Sequence, residues 1–267
     1  MRPPAATRPA RSLQRVSESA PMPRTLIVLA TYNERENLST LVETILALGL
    51  PDLDILVVDD NSPDGTGQLA DGLAAAHANI RVLHREGKLG LGTAHVAAMR
   101  HAIEHGYDFV VTMDADFSHH PRHLPDILAR RTDADLILGS RYVPGGGVRN
   151  WGRLRRLMSW GANAYVRLVL GLKPRDCSGA YKCYRVATLR RVDLDHIVAR
   201  GYAFQEEITW RMQLAGARIV EVPILFENRR LGQTKMSWRE IAGLFTTVLR
   251  LRWRKLCGRI HHSKGCD

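Results

Sequence analysis

Residues 107–116 read Tyr107-Asp108-Phe109-Val110-Val111-Thr112-Met113-Asp114-Ala115-Asp116. The apolar run is too short for a globular helix and predicts a buried strand. It closes on two carboxylates separated by a single alanine. Like charges at that range repel and resist joint ionisation. A divalent cation such as Mg²⁺ or Mn²⁺ relieves the repulsion. It prefers hard oxygen ligands and is usually held by one or two carboxylates plus substrate phosphates. The triplet therefore points to metal-bridged binding of a phosphorylated donor. The plainer alternative is a strand-to-loop turn in which Asp caps the next segment of chain.

Working outward, the same period recurs. Thr25–Ala30 and Asp54–Val58 are short apolar runs, and Ile80–His84 and Asp135–Ser140 complete five predicted strands with the one before Asp114. Between them lie helical patterns: one with Leu38, Leu41, Val42, Ile45 and Leu48, then about Gly65–His77, then Gly92–His105, then Pro121–Arg130. This β-α-β-α alternation predicts a Rossmann-like, mostly parallel sheet flanked by helices. Ligands of such sheets bind beyond the carboxyl ends of the strands. Tyr32-Asn33-Glu34, Asp59-Asp60-Asn61, Asp114-Ala115-Asp116 and Arg141-Tyr142 all fall at those ends, and this shared edge is the stronger argument for a site. Beyond it the chain reads as a flexible Gly145-Gly146-Gly147 loop and a basic helix bearing Arg149, Arg153, Arg155, Arg156 and Arg167. A mixed region follows, then a C-terminal amphipathic basic helix near Ser237–Lys255 with Ile241, Leu244, Val248 and Leu251 at helical spacing.

The chain has 267 residues, 45% hydrophobic and 24% charged, an ordinary globular balance sufficient for one large domain. Its 38 Lys and Arg against 27 Asp and Glu give a formal charge of +11. That implies acidic partners: nucleic acid, an anionic membrane or a phosphorylated substrate. Cys177, Cys183, Cys257 and Cys266 form no C-x-x-C pair, which fits a reduced, cytosolic setting without structural zinc. No segment approaches the roughly 20 apolar residues that span a bilayer. Residues 1–24 read as a disordered basic tail, with Met22 a candidate start, 25–255 as the folded domain and 256–267 as a flexible tail.

The motifs resemble those of family 2 glycosyltransferases. Ala30-Thr31-Tyr32-Asn33-Glu34-Arg35-Glu36-Asn37-Leu38 is similar to the family's P-T-Y-N-E-x-x-N-L opening. Val58-Asp59-Asp60-Asn61-Ser62-Pro63-Asp64-Gly65-Thr66 is similar to its V-D-D-x-S-x-D-G-T, and Asp114-Ala115-Asp116 to its metal motif. Within the family the chain most resembles dolichol-phosphate (polyprenol-phosphate) mannosyltransferases. The residues carrying this are Lys88–Ala94, Ser118-His119-His120-Pro121, Ser140-Arg141-Tyr142, Gly201–Glu207 and Gly232-Gln233-Thr234-Lys235 with Arg229 upstream.

The resemblance implies a GT-A fold and transfer of mannose from GDP-mannose to a polyisoprenyl phosphate with inversion. It implies that Ala30, Tyr32, Glu34, Val58 and Asp60 contact the guanosine part. Asp114, Ala115 and Asp116 would bind nucleotide phosphates, and Asp114 and Asp116 the Mg²⁺ or Mn²⁺. Ser118 stands where some relatives carry a metal-contacting glutamine. Arg141, Arg229 and Lys235 would hold donor or acceptor phosphates, with Arg155 where relatives place another phosphate-binding arginine. Asp116, Arg141, Arg229 and Lys235 would carry the chemistry. Some relatives have a C-terminal transmembrane pair that is absent here, which implies a peripheral enzyme on the cytoplasmic face of a membrane and a separate membrane protein as a plausible anchor.

These residue types suit that reaction. A phosphate nucleophile is largely ionised at neutral pH and needs placement rather than a strong base. Arginine supplies bidentate, permanently charged phosphate contacts. Glu207 is read as orienting a helix or the acceptor site, and Gly87–Gly92 as a loop shaping the donor pocket. Transfer of another sugar, such as glucose from a UDP-sugar, is the nearest alternative. A nucleic-acid-binding module accounts for the charge, but aromatic residues are only 6% and no helix-turn-helix or RNA-stacking signature is present.

Overall fold

The computed structural model describes residues 22–227 and 238–258. In the first half, β1 (Thr25–Thr31), β2 (Leu53–Asp59), β3 (Ile80–His84) and β4 (Phe109–Asp114) alternate with α1 (Arg35–Leu46), α2 (Thr66–Ala76) and α3 (Leu91–Glu104). A short 3₁₀ turn at Pro121–His123 then leads into α4 (Leu124–Ala129), β5 (Leu136–Ser140), β6 (Gly147–Val148) and α5 (Arg153–Leu170). The remainder comprises β7 (Lys182–Arg185), α6 (Val186–Leu189), α7 (Phe204–Leu214), β8 (Ile219–Pro223), β9 (Leu225–Phe226) and α8 (Trp238–Leu256).

Seven strands form one sheet in the order β3-β2-β1-β4-β7-β5-β8. The five strands read from sequence are all present and run parallel. β7 is inserted antiparallel between β4 and β5. Because β4 and β5 both oppose β7, they point the same way, and the ends of β1, β2, β4 and β5 share one edge.

Period-2 burial explains the layers. Ile27, Leu29, Ile55, Val57, Val111 and Met113 pack with α1 and α4 on one face. Leu26, Val28, Leu56, Val58 and Val110 pack on Ala94, Ala98 and Ala102 of α3 on the other. Alanines at these positions let α3 lie close to the sheet.

One sequence expectation changes. The Gly145–Gly147 stretch is not a loose loop: Gly147 and Val148 pair in parallel with Leu225 and Phe226. The stripe read on the last helix is its inner side, with Val248 and Leu251 buried against Val166, Leu170 and Trp210. A second stripe, Phe245, Leu249, Trp253 and Leu256, faces out, with Leu249 57% and Trp253 66% exposed. α5 packs beside α8, the Tyr165 and Phe245 rings 4.6 Å apart. It exposes Leu154, Leu157, Met158, Trp160 and Leu168. Among the described residues no helix is long and apolar enough to cross a membrane.

Arg24, at the end of the expected tail, donates its backbone N–H to Asp108 at 2.9 Å.

Candidate active site

The strand register sets the site. Ala30 lies beside Val58 on one side and Asp114 on the other, so three of the expected donor-side residues stand abreast at the edge. Beyond them the first two motifs interlock. Asn33 N–H donates to Ser62 Oγ at 3.0 Å, Glu34 N–H to Thr66 Oγ1 at 3.0 Å and Arg35 N–H to Asp64 at 3.2 Å. Asp59 accepts from the Thr31 hydroxyl at 3.0 Å and the Ser62 hydroxyl at 2.5 Å. Asn33 and Asn61 both sit at φ 56°, a left-handed conformation that asparagine tolerates better than most residues. Much of each motif therefore builds the loops.

Glu34 caps the start of α1, and its side chain accepts from Asn37 at 3.0 Å. The Tyr32 ring is half-buried, with Lys88 Nζ 4.2 Å from its centroid. Asp60 is buried. Its Oδ1 takes Arg85 at 2.5 Å and its Oδ2 the backbone N–H groups of Leu89 and Gly90, each at 3.2 Å. Arg85 also donates to Thr93 Oγ1 at 2.6 Å. Asp60 and Arg85 thereby tie the Gly87–Gly92 turn to the edge of the sheet.

At the end of β4 the chain bends sharply. Phe117 has φ 63°, a strained conformation for an aromatic residue that costs about 1–3 kcal/mol. Ser118 N–H donates to Asp116 Oδ1 at 3.0 Å. Asp116 and Ser118 are buried, and the Asp114 side chain is 33% exposed. His119 is buried beneath the turn, and its Nδ1 accepts the Asp114 backbone N–H at 3.1 Å. That bond assigns the proton to Nε2. Burial pulls the imidazole down to about 3, against the opposing pull of Asp116. The ring is neutral, so its 3.2 Å approach to Asp114 Oδ2 is no ion pair and does not cancel the carboxylate's charge. Hard oxygens on one partly exposed and one buried carboxylate fit Mg²⁺ or Mn²⁺, with the other coordination positions left to phosphate and water.

Arg141 follows β5. Its Nε and Nη2 each lie 2.7 Å from Asp176, one on each carboxylate oxygen, and Nη2 also donates to Ser178 Oγ at 2.7 Å. Burial would lower the guanidinium's affinity for its proton, but Asp176 more than offsets this and holds it above the ordinary value. The rings of Tyr142, Trp151 and Phe226 surround it at 5.4–5.6 Å. Arg155 lies 4.1 Å over Trp151, so one indole is shared by both arginines. Phe226 also meets the His119 ring at 5.2 Å and thereby joins the Asp114 turn to the Arg141 cluster. Arg229 and Lys235 lie outside the described residues.

Sequence reasoning missed Asp176, Ser178, Trp151 and Phe226. None sits at a strand end of the β-α-β series, and no spacing links them to Arg141. Glu207 orients a loop and its own helix: it accepts from the backbone of Val198 at 3.0 Å and of Ala199 at 2.8 Å, and from Arg211 at 2.8 Å.

The sheet order, the covering helices and the acidic turn define a GT-A glycosyltransferase. The family model for glycosyl transferase family 2 matches residues 26–193. The chain is 46% identical over 241 residues to the undecaprenyl-phosphate mannosyltransferase of Micrococcus luteus, covering 89% of this chain and 99% of that one. It is 44% identical over 247 residues to the polyprenol monophosphomannose synthase of Mycolicibacterium smegmatis, covering 92% of each. Glucosyl-3-phosphoglycerate synthase from Mycobacterium tuberculosis, solved with Mn²⁺ and UDP, shares the fold at TM-score 0.59 and 20% identity, over 90% of this chain and 82% of that one. The chain belongs to glycosyl transferase family 2.

Proposed function

We propose that this enzyme transfers mannose from GDP-mannose to a polyprenyl or dolichyl phosphate, with inversion, to make a lipid-linked mannose donor. The observation that carries the reading is the pairing of an acidic turn at Asp114–Asp116 with a buried, aromatic-lined arginine at 141, one suited to a nucleotide–metal complex and the other to a phosphate. The names of the two curated relatives support mannose as the sugar and a polyprenyl phosphate as the acceptor.

The lipid phosphate oxygen forms its bond to the anomeric carbon as the bond from that carbon to the GDP oxygen breaks. The nucleophile is already ionised, so the protein's contribution is placement and charge. When bound by Asp114 and Asp116, with Ser118 beside them, Mg²⁺ or Mn²⁺ offsets charge on the leaving diphosphate. Ala30, Tyr32, Glu34, Val58 and Asp60 shape the guanosine end, where Ala115 adds backbone next to the phosphates. Arg141, Arg155, Arg229 and Lys235 hold phosphate oxygens.

The acceptor is a lipid, and the outward faces of α5 and α8 support docking on a membrane surface. Apolar Leu157, Trp160, Leu249 and Trp253 are exposed beside Arg153, Arg156, Arg250 and Arg254, a composition suited to an anionic headgroup layer. The enzyme is then peripheral, on the cytoplasmic face where nucleotide sugars are available, with or without a separate membrane-anchoring protein.

The test is incubation of purified protein with Mn²⁺, polyprenyl phosphate and either labelled GDP-mannose or labelled UDP-glucose. A mild-acid-labile lipid product from GDP-mannose, and little or none from UDP-glucose, is expected. Preference for UDP-glucose would overturn the donor assignment.

A further inference from the structure

The segment Asp176-Cys177-Ser178 is gripped from several sides. Asp176 is fully buried and accepts from Arg141 three times: from Nε and Nη2 at 2.7 Å each, and from the backbone N–H at 2.9 Å. Its own N–H and that of Arg175 donate to the two carboxylate oxygens of Glu221, at 3.0 and 2.9 Å. Asn163 Oδ1 accepts from the backbone of Cys177 at 2.8 Å and of Ser178 at 3.3 Å, and its Nδ2 donates to Ser178 Oγ at 3.1 Å. Behind this, fully buried Lys182 donates to Cys177 O at 3.1 Å and to the backbone and side-chain oxygens of Gln205 at 2.7 and 3.0 Å. Asp176 thus lies between two cationic side chains, Arg141 and Lys182. Glu206 completes the buried cluster in the first turn of α7.

A buried ion pair is weak grounds for stability, because desolvation can exceed the attraction. Its value here is geometric. A free arginine has side-chain rotamer entropy to lose, and a pre-fixed one loses less when a phosphate binds. The bidentate pair occupies Nε and Nη2, and Nη1 makes no hydrogen bond among the described residues.

We propose that Asp176 is the positioning residue for Arg141. It fixes the guanidinium, with Ser178 as a second anchor, so that phosphate meets a pre-set donor opposite the Asp114 turn. This rests on the reading of Arg141 as a phosphate-holding residue.

The test is a double-mutant cycle on the full chain, using Asp176→Asn, Ser178→Ala and Arg141→Lys singly and in pairs, with kcat and KM measured for GDP-mannose and polyprenyl phosphate. Asp176→Asn is expected to lower kcat/KM by about 10–100-fold and Ser178→Ala by about 3–10-fold. In the Arg141→Lys background each is expected to add less than twofold, because the group they aim is already altered. Ser178→Ala uncovers no buried charge, so it carries the test if Asp176→Asn lowers the folded yield. Losses that multiply across the cycle would overturn the positioning role alone. A wild-type rate for Arg141→Lys would overturn the phosphate reading of Arg141 and the positioning proposal with it.

Discussion

At the residue scale, burial decides which charges can act. His95 of α3 is buried and stacked on Phe204 at 5.4 Å, and neither ring nitrogen has a hydrogen-bond partner among the described residues. Burial, reinforced by the charge of Lys182, pulls its imidazole from 6.5 down to about 3. The folded ring therefore stays neutral at pH values where the unfolded one takes a proton. The stability this confers is complete above 6.5 and is lost as pH falls towards 3. At pH 5 the loss is about 2 kcal/mol from this group alone. His95→Phe keeps a ring on Phe204 and removes the titration. Denaturant unfolding at pH 8 and pH 5 is expected to show the variant gaining about 2 kcal/mol on the wild type between the two conditions. An unchanged gap would contradict the buried neutral imidazole. Asp114 and Asp116 were legible as a pair because a strand and a carboxylate repeat are both local signals. Asp176 was not, because its partnership with Arg141 spans 35 residues and exists only once β5 and the segment before β7 have met.

At the element scale, the five parallel strands were legible because each is an apolar run bounded by turn residues. β7 was not. Lys182-Cys183-Tyr184-Arg185 has charged ends and only four residues, and its place between β4 and β5 is decided by pairing that sequence spacing does not encode. The outer stripe of α8 was also obscured, because the inner stripe carries the same periodic signal. The sequence reads Gly87–Gly92 as a pocket-shaping loop, and the structure supplies the reason for two of its glycines, Gly90 and Gly92. Gly90 has φ +103°, and a Cβ on Gly92 would lie 2.5 Å from Ala199 O, in a helix start whose N–H donates to Arg200 O at 2.8 Å. Gly92→Ala is expected to destabilise the fold by about 1–3 kcal/mol through overpacking and to raise KM for the nucleotide sugar, since the same turn is tied to Asp60. A neutral effect on both would mean that the close approach to residues 199–200 does not hold the turn.

At the scale of the whole molecule, the charge of +11 acquires a direction. Composition left nucleic acid, membrane and phosphorylated substrate open, whereas the fold places an exposed apolar face on the same two helices that carry many of the arginines. Leu157→Glu combined with Trp253→Glu introduces two charges into that face without touching the buried side of α8. Co-sedimentation with vesicles of one-third anionic phospholipid is expected to fall at least tenfold, while turnover of a short, detergent-soluble polyprenyl phosphate stays within about threefold. Undiminished vesicle binding would remove this face as the docking surface.

The reaction proposed for the edge of the sheet is the inverting transfer of mannose to a lipid phosphate. The most direct measurement is the anomeric configuration of the product formed by the purified enzyme from GDP-mannose and polyprenyl phosphate, with Mn²⁺ supplied and then chelated. A β-mannosyl phosphate lipid whose formation stops on chelation is expected. An α-linked product, or no mannolipid from GDP-mannose with acceptor and metal both present, would contradict it.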